Sequence, residues 1–440
     1  MFEDTTTRRI FLQRGLTMLA VGSTVPTFLD QTVMALANPF DTARTQQPSG
    51  KDGKILVVVQ LAGGNDGLNT IIPYADDNYQ KARRTLAMGA GEVLKVNDYL
   101  GFHPNLAPLK KIFDDGRMSV IQGVGYPNPN RSHFRSTDIW TSGYPEKEVV
   151  TSGWIGRYFD NACPGCEPHV GVSIGERMPL AMQGDRVTPV SFEQADQYRY
   201  VGPDAERYER LNLRENKPAT QPAALASSPS NRLVKPVGKK VQPEAGSPLD
   251  FLHRTSMDAQ LSSDHILAMT KRFQSSEQYP RNQFGNGLRS VAAMIAGGLP
   301  TRVYYVTLGG FDTHQNQKGR HEQLMTQFAQ GVGAFWTDVE KQGNRDRVLM
   351  MTFSEFGRRV EQNASGGTDH GAAAPMFLIG GGAKPGVFGN HPSLTDLDQG
   401  DLKHTVDFRS VYATILQEWL ETPSKPILGQ QFRPMSVLKT

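Results

Sequence analysis

"KILVVVQLAGGNDGLNTIIPY", residues 54 to 74, decides the fold class. Ile55 to Val59 is a continuous apolar run that carries on through Leu61 and stops at Gly63 and Gly64. A strand with one wet face alternates polar and apolar residues. A run without alternation reads as a strand buried on both faces, and such strands belong to parallel sheets covered by helices on each side. The same strand-then-loop pattern recurs in "RMSVIQGVGYPNPNRSHF", "TRVYYVTLGGFDTH" and "DRVLMMTFSEFGR", and less clearly in "APMFLIGGG". Between these runs lie helical stretches, "NLAPLKKIFDDG" and "HEQLMTQFAQGVGAFWTDVEKQG". In the second, Leu324, Phe328, Val332, Phe335 and Val339 fall at helix spacing. Strand alternating with helix implies an α/β fold with a mostly parallel sheet and helices on both faces. Ligands of such sheets collect outside the carboxyl ends of the strands. The residues just past each strand are therefore the ones to read for chemistry.

Bulk properties set the frame for that search. A chain of 440 residues can bury a substantial core, and 44 Gly with 28 Pro imply long structured loops between its elements. Lys and Arg total 47 against 44 for Asp and Glu, a formal charge of +3, which gives no electrostatic case for nucleic acid. At the N-terminus, Arg8 and Arg9 precede Phe11 and Leu12 and a weakly apolar segment that ends in Ala35-Leu36-Ala37. This reads as a twin-arginine export signal over residues 1–37, cleaved after Ala37, followed by a polar spacer at 38–53. The twin-arginine translocase is then an export partner and the destination is periplasmic or extracellular. That route carries folded proteins and suits a metal loaded before export. Gly22, Ser23 and Pro26 make the apolar segment too weak for a stable membrane span, and no other run is long enough. Residues 54–440 read as one domain interrupted at 217–248, where six prolines and few large apolar side chains imply a flexible insertion. Cys163 and Cys166 form a C-x-x-C that suits a redox centre, half a zinc site or a small local disulfide, and an oxidising compartment favours the disulfide.

The strand ends carry a recurring set of side chains. Asp66 in "GGNDGLN" follows the first strand and is placed for a metal, although Asn-Asp-Gly is also good turn chemistry. In "NPNRSHFRSTDIW", Ser132 and His133 stand where a loop hands over to a helix. A serine there has the helix's backbone donors and dipole aimed at any bound anion, which suits a nucleophile attacking a phosphate or sulfate ester, and it also suits an ordinary N-cap. Ser136 lies one turn further in. "GGFDTHQNQKGRHE" offers Asp312 and His314, with His321 beyond them. "SEFGRR" gives Glu355 at the next strand end, and "GGTDHG" gives Asp369 and His370. Carboxylates and imidazoles gathered from several strand ends are an ordinary ligand set for a divalent cation such as zinc, with calcium or magnesium as alternatives.

Together "LAGGNDGLN", "HPNLAPL", "RSHF", "GGFDTH", "SEFGRR", "TDHG" and "DFRSVYATIL" resemble the DUF1501 family of secreted bacterial proteins, grouped with the alkaline phosphatase-like and sulfatase superfamily. The resemblance runs from about residue 54 to the end, outside the proline-rich segment. It implies a three-layer αβα sandwich and a site of two metals beside a Ser or Thr nucleophile. On that basis Asp66 matches the first-strand carboxylate, Ser132 the nucleophile, Asp312 the next metal carboxylate with His314 as its partner, and His370 the last imidazole. His133 has no superfamily counterpart. Where related phosphatases carry adjacent Asp and His, this chain has Glu355 and Phe356. A phenyl ring offers no lone pair, so either the second metal is absent or Asp369 and a water fill the vacancy. The resulting expectation is an exported metal-dependent hydrolase of a small phosphorylated or sulfated ester. Its rival is a non-catalytic envelope or matrix protein on the same fold.

Overall fold

The computed structural model describes residues 53–163, 166, 168–187, 189–194, 264 and 266–439. The export signal at 1–37, almost all of the spacer at 38–53 and the proline-rich segment at 217–248 lie outside the described residues.

The apolar runs become the strands of one nine-stranded sheet. In chain order they are β1 (Ile55–Ala62), β2 (Met118–Gly125), β3 (Gly171–Ile174), β4 (Val190–Phe192), β5 (Val303–Gly309), β6 (Val348–Phe353), β7 (Ala374–Gly380), β8 (Gly386–Phe388) and β9 (Val406–Asp407). The spatial order is β8-β2-β7-β6-β1-β5-β3-β4, with β9 alongside β2. Every pairing is parallel except those of β7, which runs antiparallel to both β2 and β6. The fold is therefore α/β with a mostly parallel central sheet.

Helices cover both faces, which is why β1 needs no polar alternation. Ile55, Val57, Val59 and Leu61 point into one core with α1 (Ala107–Asp114), α4 (Gln283–Ala296) and α5 (Gln317–Lys341). Leu56 and Val58 point into the other, with α2 (His133–Ser142), α3 (Trp154–Ala162) and α6 (Phe408–Thr414). At roughly 1.5–3 kcal/mol per fully buried aliphatic side chain, β1 alone contributes on the order of 10 kcal/mol, as large as the net stability of a typical domain. The helical stripe of Leu324, Phe328, Val332, Phe335 and Val339 is buried as its spacing implies. Cys163 and Cys166 are joined in a disulfide just after α3.

Register levels the strand ends. Gln60 of β1 pairs with Phe353 of β6, and Ala62 with Gly309 of β5, so the loops after all three strands leave the sheet along one edge. A short antiparallel hairpin, Arg358–Gln362 with Thr368–His370, stands beside that edge and sets Arg358 opposite His370.

Candidate metal centre

Two features of the backbone allow the loops to converge. Gly63 has φ +116°, and a Cβ there would lie 2.5 Å from the Asp312 nitrogen, so only glycine lets the β1 loop pass so close to the β5 loop. Its N–H donates to Glu355 Oε1 at 2.7 Å. On the opposite side, the Ser136 hydroxyl donates to the Glu355 carbonyl, which ties the first turn of α2 to the end of β6.

Arg358 then locks the arrangement. Its guanidinium is 1 % exposed and donates to the carbonyls of Gly63, Gly64, Phe311 and Thr368, and also to Asp312 Oδ1 at 2.9 Å. One buried side chain thus joins three loops and neutralises the carboxylate at their meeting point. Partial burial works against the charge on Asp312, but the Arg358 guanidinium and the His370 imidazole outweigh it and hold that carboxyl down at about 2.

Three imidazoles face this carboxylate, and each is fixed from behind. His370 Nδ1 lies 2.8 Å from the Arg131 carbonyl, His133 Nδ1 lies 2.9 Å from Glu355 Oε1, and His314 Nδ1 lies 3.3 Å from Asp369 Oδ1. A carbonyl or carboxylate oxygen only accepts, and so does Asp312 on the Nε2 side, so without a cation a ring can carry its proton on either nitrogen; with a cation at Asp312 these partners hold the proton on Nδ1. In that tautomer the Nε2 lone pairs face one another. His314 Nε2 and His370 Nε2 are 2.9 Å apart, and they stand 3.0 and 3.1 Å from Asp312 Oδ1. His133 Nε2 is 3.5 Å from Asp312 Oδ2 and, although buried, has no hydrogen-bond partner. Burial also pushes the His370 imidazole below its ordinary pKa, which favours the neutral ring with its free lone pair.

Acceptors packed so closely repel unless a cation or a proton sits between them. Ligand atoms around a tetrahedral zinc ion are about 3.3 Å apart, close to the 2.9–3.5 Å separations here. Single ligand atoms of His133, Asp312 and His370 lie within 4.8 Å of one another, the spread that one ion can bridge. The residues therefore fit a metal, and the carbonyl and carboxylates behind the imidazoles have the form usual for metal-ligating histidines. The centre opens to solvent, with the Asp312 and His314 side chains 47 % and 43 % exposed.

The structure sorts the expected residues into three groups. Asp312, His314 and His370 meet at the centre as ligand-type atoms, joined by His133, which the sequence placed beside a nucleophile. Glu355 and Asp369 stand behind His133 and His314 and orient them, and a hydrogen bond from Asn363 helps hold the Asp369 carboxyl low. Asp66 goes elsewhere: it is buried, and its Oδ2 accepts from Arg83 and Gln317. Ser132 is exposed at the N-cap of α2, one residue before His133, and its hydroxyl makes no capping bond. Phe356 packs its ring 4.9 Å from that of His133 and 4.5 Å from that of His370, so a phenyl occupies the flank where a second metal's imidazole was sought. Sequence reasoning missed Arg358 and Asn363. Arg358 stands inside the "SEFGRR" motif already singled out for Glu355, but burial of an arginine leaves no local sequence signal.

A family model described as "Protein of unknown function (DUF1501)" matches residues 245–437, a span that includes Asp312, His314, Glu355, Asp369 and His370 but not His133. No curated protein sequence matches the chain. Among solved structures, a protein in the alkaline phosphatase superfamily from Vibrio parahaemolyticus is 10 % identical at TM-score 0.35, covering 92 % of this chain and 77 % of its own. A sulfatase from Pseudoalteromonas sp. is 10 % identical at TM-score 0.36, covering 94 % and 75 %. The lipoteichoic acid synthase LtaP from Listeria monocytogenes is 11 % identical at TM-score 0.31, covering 82 % and 74 %.

Proposed function

We propose that this protein is a metal-dependent hydrolase of a phosphate or sulfate ester, exported by the twin-arginine route to the periplasm or beyond. The observation that carries the reading is the convergence of three Nε2 atoms on Asp312, each ring backed at Nδ1 by an acceptor. Three imidazole nitrogens and a carboxylate favour zinc over calcium or magnesium, which prefer oxygen ligands. Such a cation supplies positive charge to the ester and lowers the pKa of a bound hydroxyl or water. The chain itself holds the site in shape. His133, His314, His370 and Asp312 present the ligand atoms, while Glu355, Asp369 and the Arg131 carbonyl keep the rings from turning. Ser132 brings an unengaged hydroxyl at the N-terminus of α2, whose backbone N–H groups face an anion favourably.

A second reading keeps the fold without the chemistry, as an envelope or matrix protein. Phe356 favours it, because the ring closes one flank of the centre, and no base touches Ser132 among the described residues. Elemental analysis of the purified, exported protein separates the two, together with turnover of aryl phosphate and aryl sulfate by wild type and Ser132→Ala. Stoichiometric metal with turnover lost in the serine variant supports the hydrolase. Protein that holds no metal and turns over neither ester under added zinc, manganese or magnesium leaves only the second reading.

A further inference from the structure

Asp66 was sought as a metal ligand, and its actual place raises the question of what a buried carboxylate does so near the centre. Its Oδ2 accepts from two donors, Arg83 Nη1 and Gln317 Nε2. Gln317 is fully buried at the first turn of α5. Its Oε1 accepts from the Thr313 hydroxyl at 3.1 Å and from the Thr368 hydroxyl at 2.6 Å. Thr313 lies between Asp312 and His314, and Thr368 comes just before Asp369 and His370. One carboxamide therefore grips both ligand-bearing segments. The backbone repeats the join: Thr368 N–H donates to the Thr313 carbonyl at 3.2 Å and Gln317 N–H to the Gly366 carbonyl at 3.0 Å.

The direction of the bonds fixes which way the amide faces. Two hydroxyls can donate only to its oxygen, so its NH2 must point at an acceptor, and Asp66 is that acceptor. Arg83 keeps the Asp66 carboxylate charged despite complete burial, and the pKa of Asp66 is lowered. The same guanidinium donates to the carbonyls of Val360 and Arg359, which anchors the pair on the other strand of the hairpin.

We infer that Gln317 is a positioning residue: held on Asp66, it fixes the spacing between the Asp312–His314 segment and the Asp369–His370 segment, and thereby the geometry of the metal centre. The inference rests on the metal reading of that centre. It makes Asp66 an anchor that contacts no metal, so loss of either end of the relay loosens both segments together.

The test uses full-length protein stripped of metal, with two measurements: amide hydrogen exchange, and titration with Co2+ followed by visible absorption. Gln317→Met keeps the shape and removes both polar ends. It is expected to exchange faster at 312–317 and at 366–370, and to bind Co2+ about 10-fold more weakly with an altered spectrum. Gln317→Glu keeps an oxygen for both threonine hydroxyls but turns a second oxygen toward Asp66 Oδ2, and is expected to change both properties in the same direction. If Gln317→Met does not fold, Thr368→Val removes one arm and reads the same segments. Unchanged exchange in both segments overturns the inference, and so does faster exchange with Co2+ affinity and spectrum unaltered. Wild-type protein that takes up no Co2+ defeats the metal reading instead, and exchange alone then decides whether Gln317 holds the two segments.

Discussion

Two polar clusters stand near the same edge of the sheet, built from the same kinds of residue, and they behave in opposite ways. The open one, around Asp312, turns three imidazole Nε2 atoms toward one half-exposed carboxylate. The closed one, around Asp66, buries Arg83, Gln317, His103 and His321 and spends most of its donors internally. The Asp66 ion pair offsets its desolvation through the bonds that Arg83 and Gln317 make to Oδ2, while Asp66 Oδ1 and His103 Nε2 have no hydrogen-bond partner, as is true of His133 Nε2 in the open cluster. A carboxylate at a strand end thus serves either purpose. A guanidinium of the chain reaches both, Arg83 at Asp66 and Arg358 at Asp312, and what separates the two is that solvent is shut out only from Asp66.

The largest effect expected from this contrast is on stability. Asp66→Ala strands the Arg83 guanidinium at zero exposure and should cost about 3–5 kcal/mol. Asp312→Ala removes the carboxylate paired with Arg358, also at zero exposure, but leaves that guanidinium its four carbonyl acceptors, and should cost less, about 1–3 kcal/mol in metal-free protein. Urea unfolding of both variants without metal checks the pair. Equal losses would erase the distinction between anchor and ligand.

Acid should also attack the two clusters in different windows. Burial pushes His103 down to about 3 and His321 down to about 4, from an ordinary value of 6.5. Above pH 6.5 folded and unfolded chains both hold these rings neutral, and their contribution is complete. As pH falls, the unfolded chain takes up protons that the folded one refuses. Stability is therefore lost between 6.5 and about 4 for His321, and down to about 3 for His103, at about 1.4 kcal/mol per pH unit for each. Asp312 is held at about 2, so its contribution is present above the ordinary carboxylate range and fades only as pH drops toward that value. Urea midpoints measured from pH 7 to pH 4 should fall in wild type and fall less steeply in His321→Asn. A slope unaffected by that change would show that His321 is not protected from protons.

How much of this could be read beforehand follows from distance along the chain. The strands were legible because burial on both faces removes polar alternation from β1, and Asp312, His314 and Glu355 drew notice because they follow such runs within a few residues, whereas His370 drew notice only through its Asp-His motif. His133 was visible in its motif, but its part in the centre depends on Glu355, which lies 222 residues away. Asp66 was misjudged for the same reason: Arg83 is 17 residues off and Gln317 is 251, and no local pattern tells that both converge on one oxygen. Phe356 was legible as a departure from a metal-binding pair. Its packing on two imidazoles became apparent only in the fold.

The smallest effect expected concerns the carboxylate behind a ring. Asp369 accepts from His314 Nδ1 at 3.3 Å and from the Asn363 amide at 3.1 Å, and it lies at the exposed end of the hairpin. Asp369→Asn keeps the size and one acceptor but removes the negative charge that makes the imidazole a better donor to a cation. Metal affinity should fall about 10-fold, the low end for a group one step behind a ligand, while the urea midpoint stays within experimental error because nothing buried is left unpaired. A competition titration with a chromophoric zinc chelator measures the first, and urea unfolding the second. Unchanged affinity would mean that the Nδ1 contact does not orient His314, leaving His133, His370 and Asp312 as the whole centre.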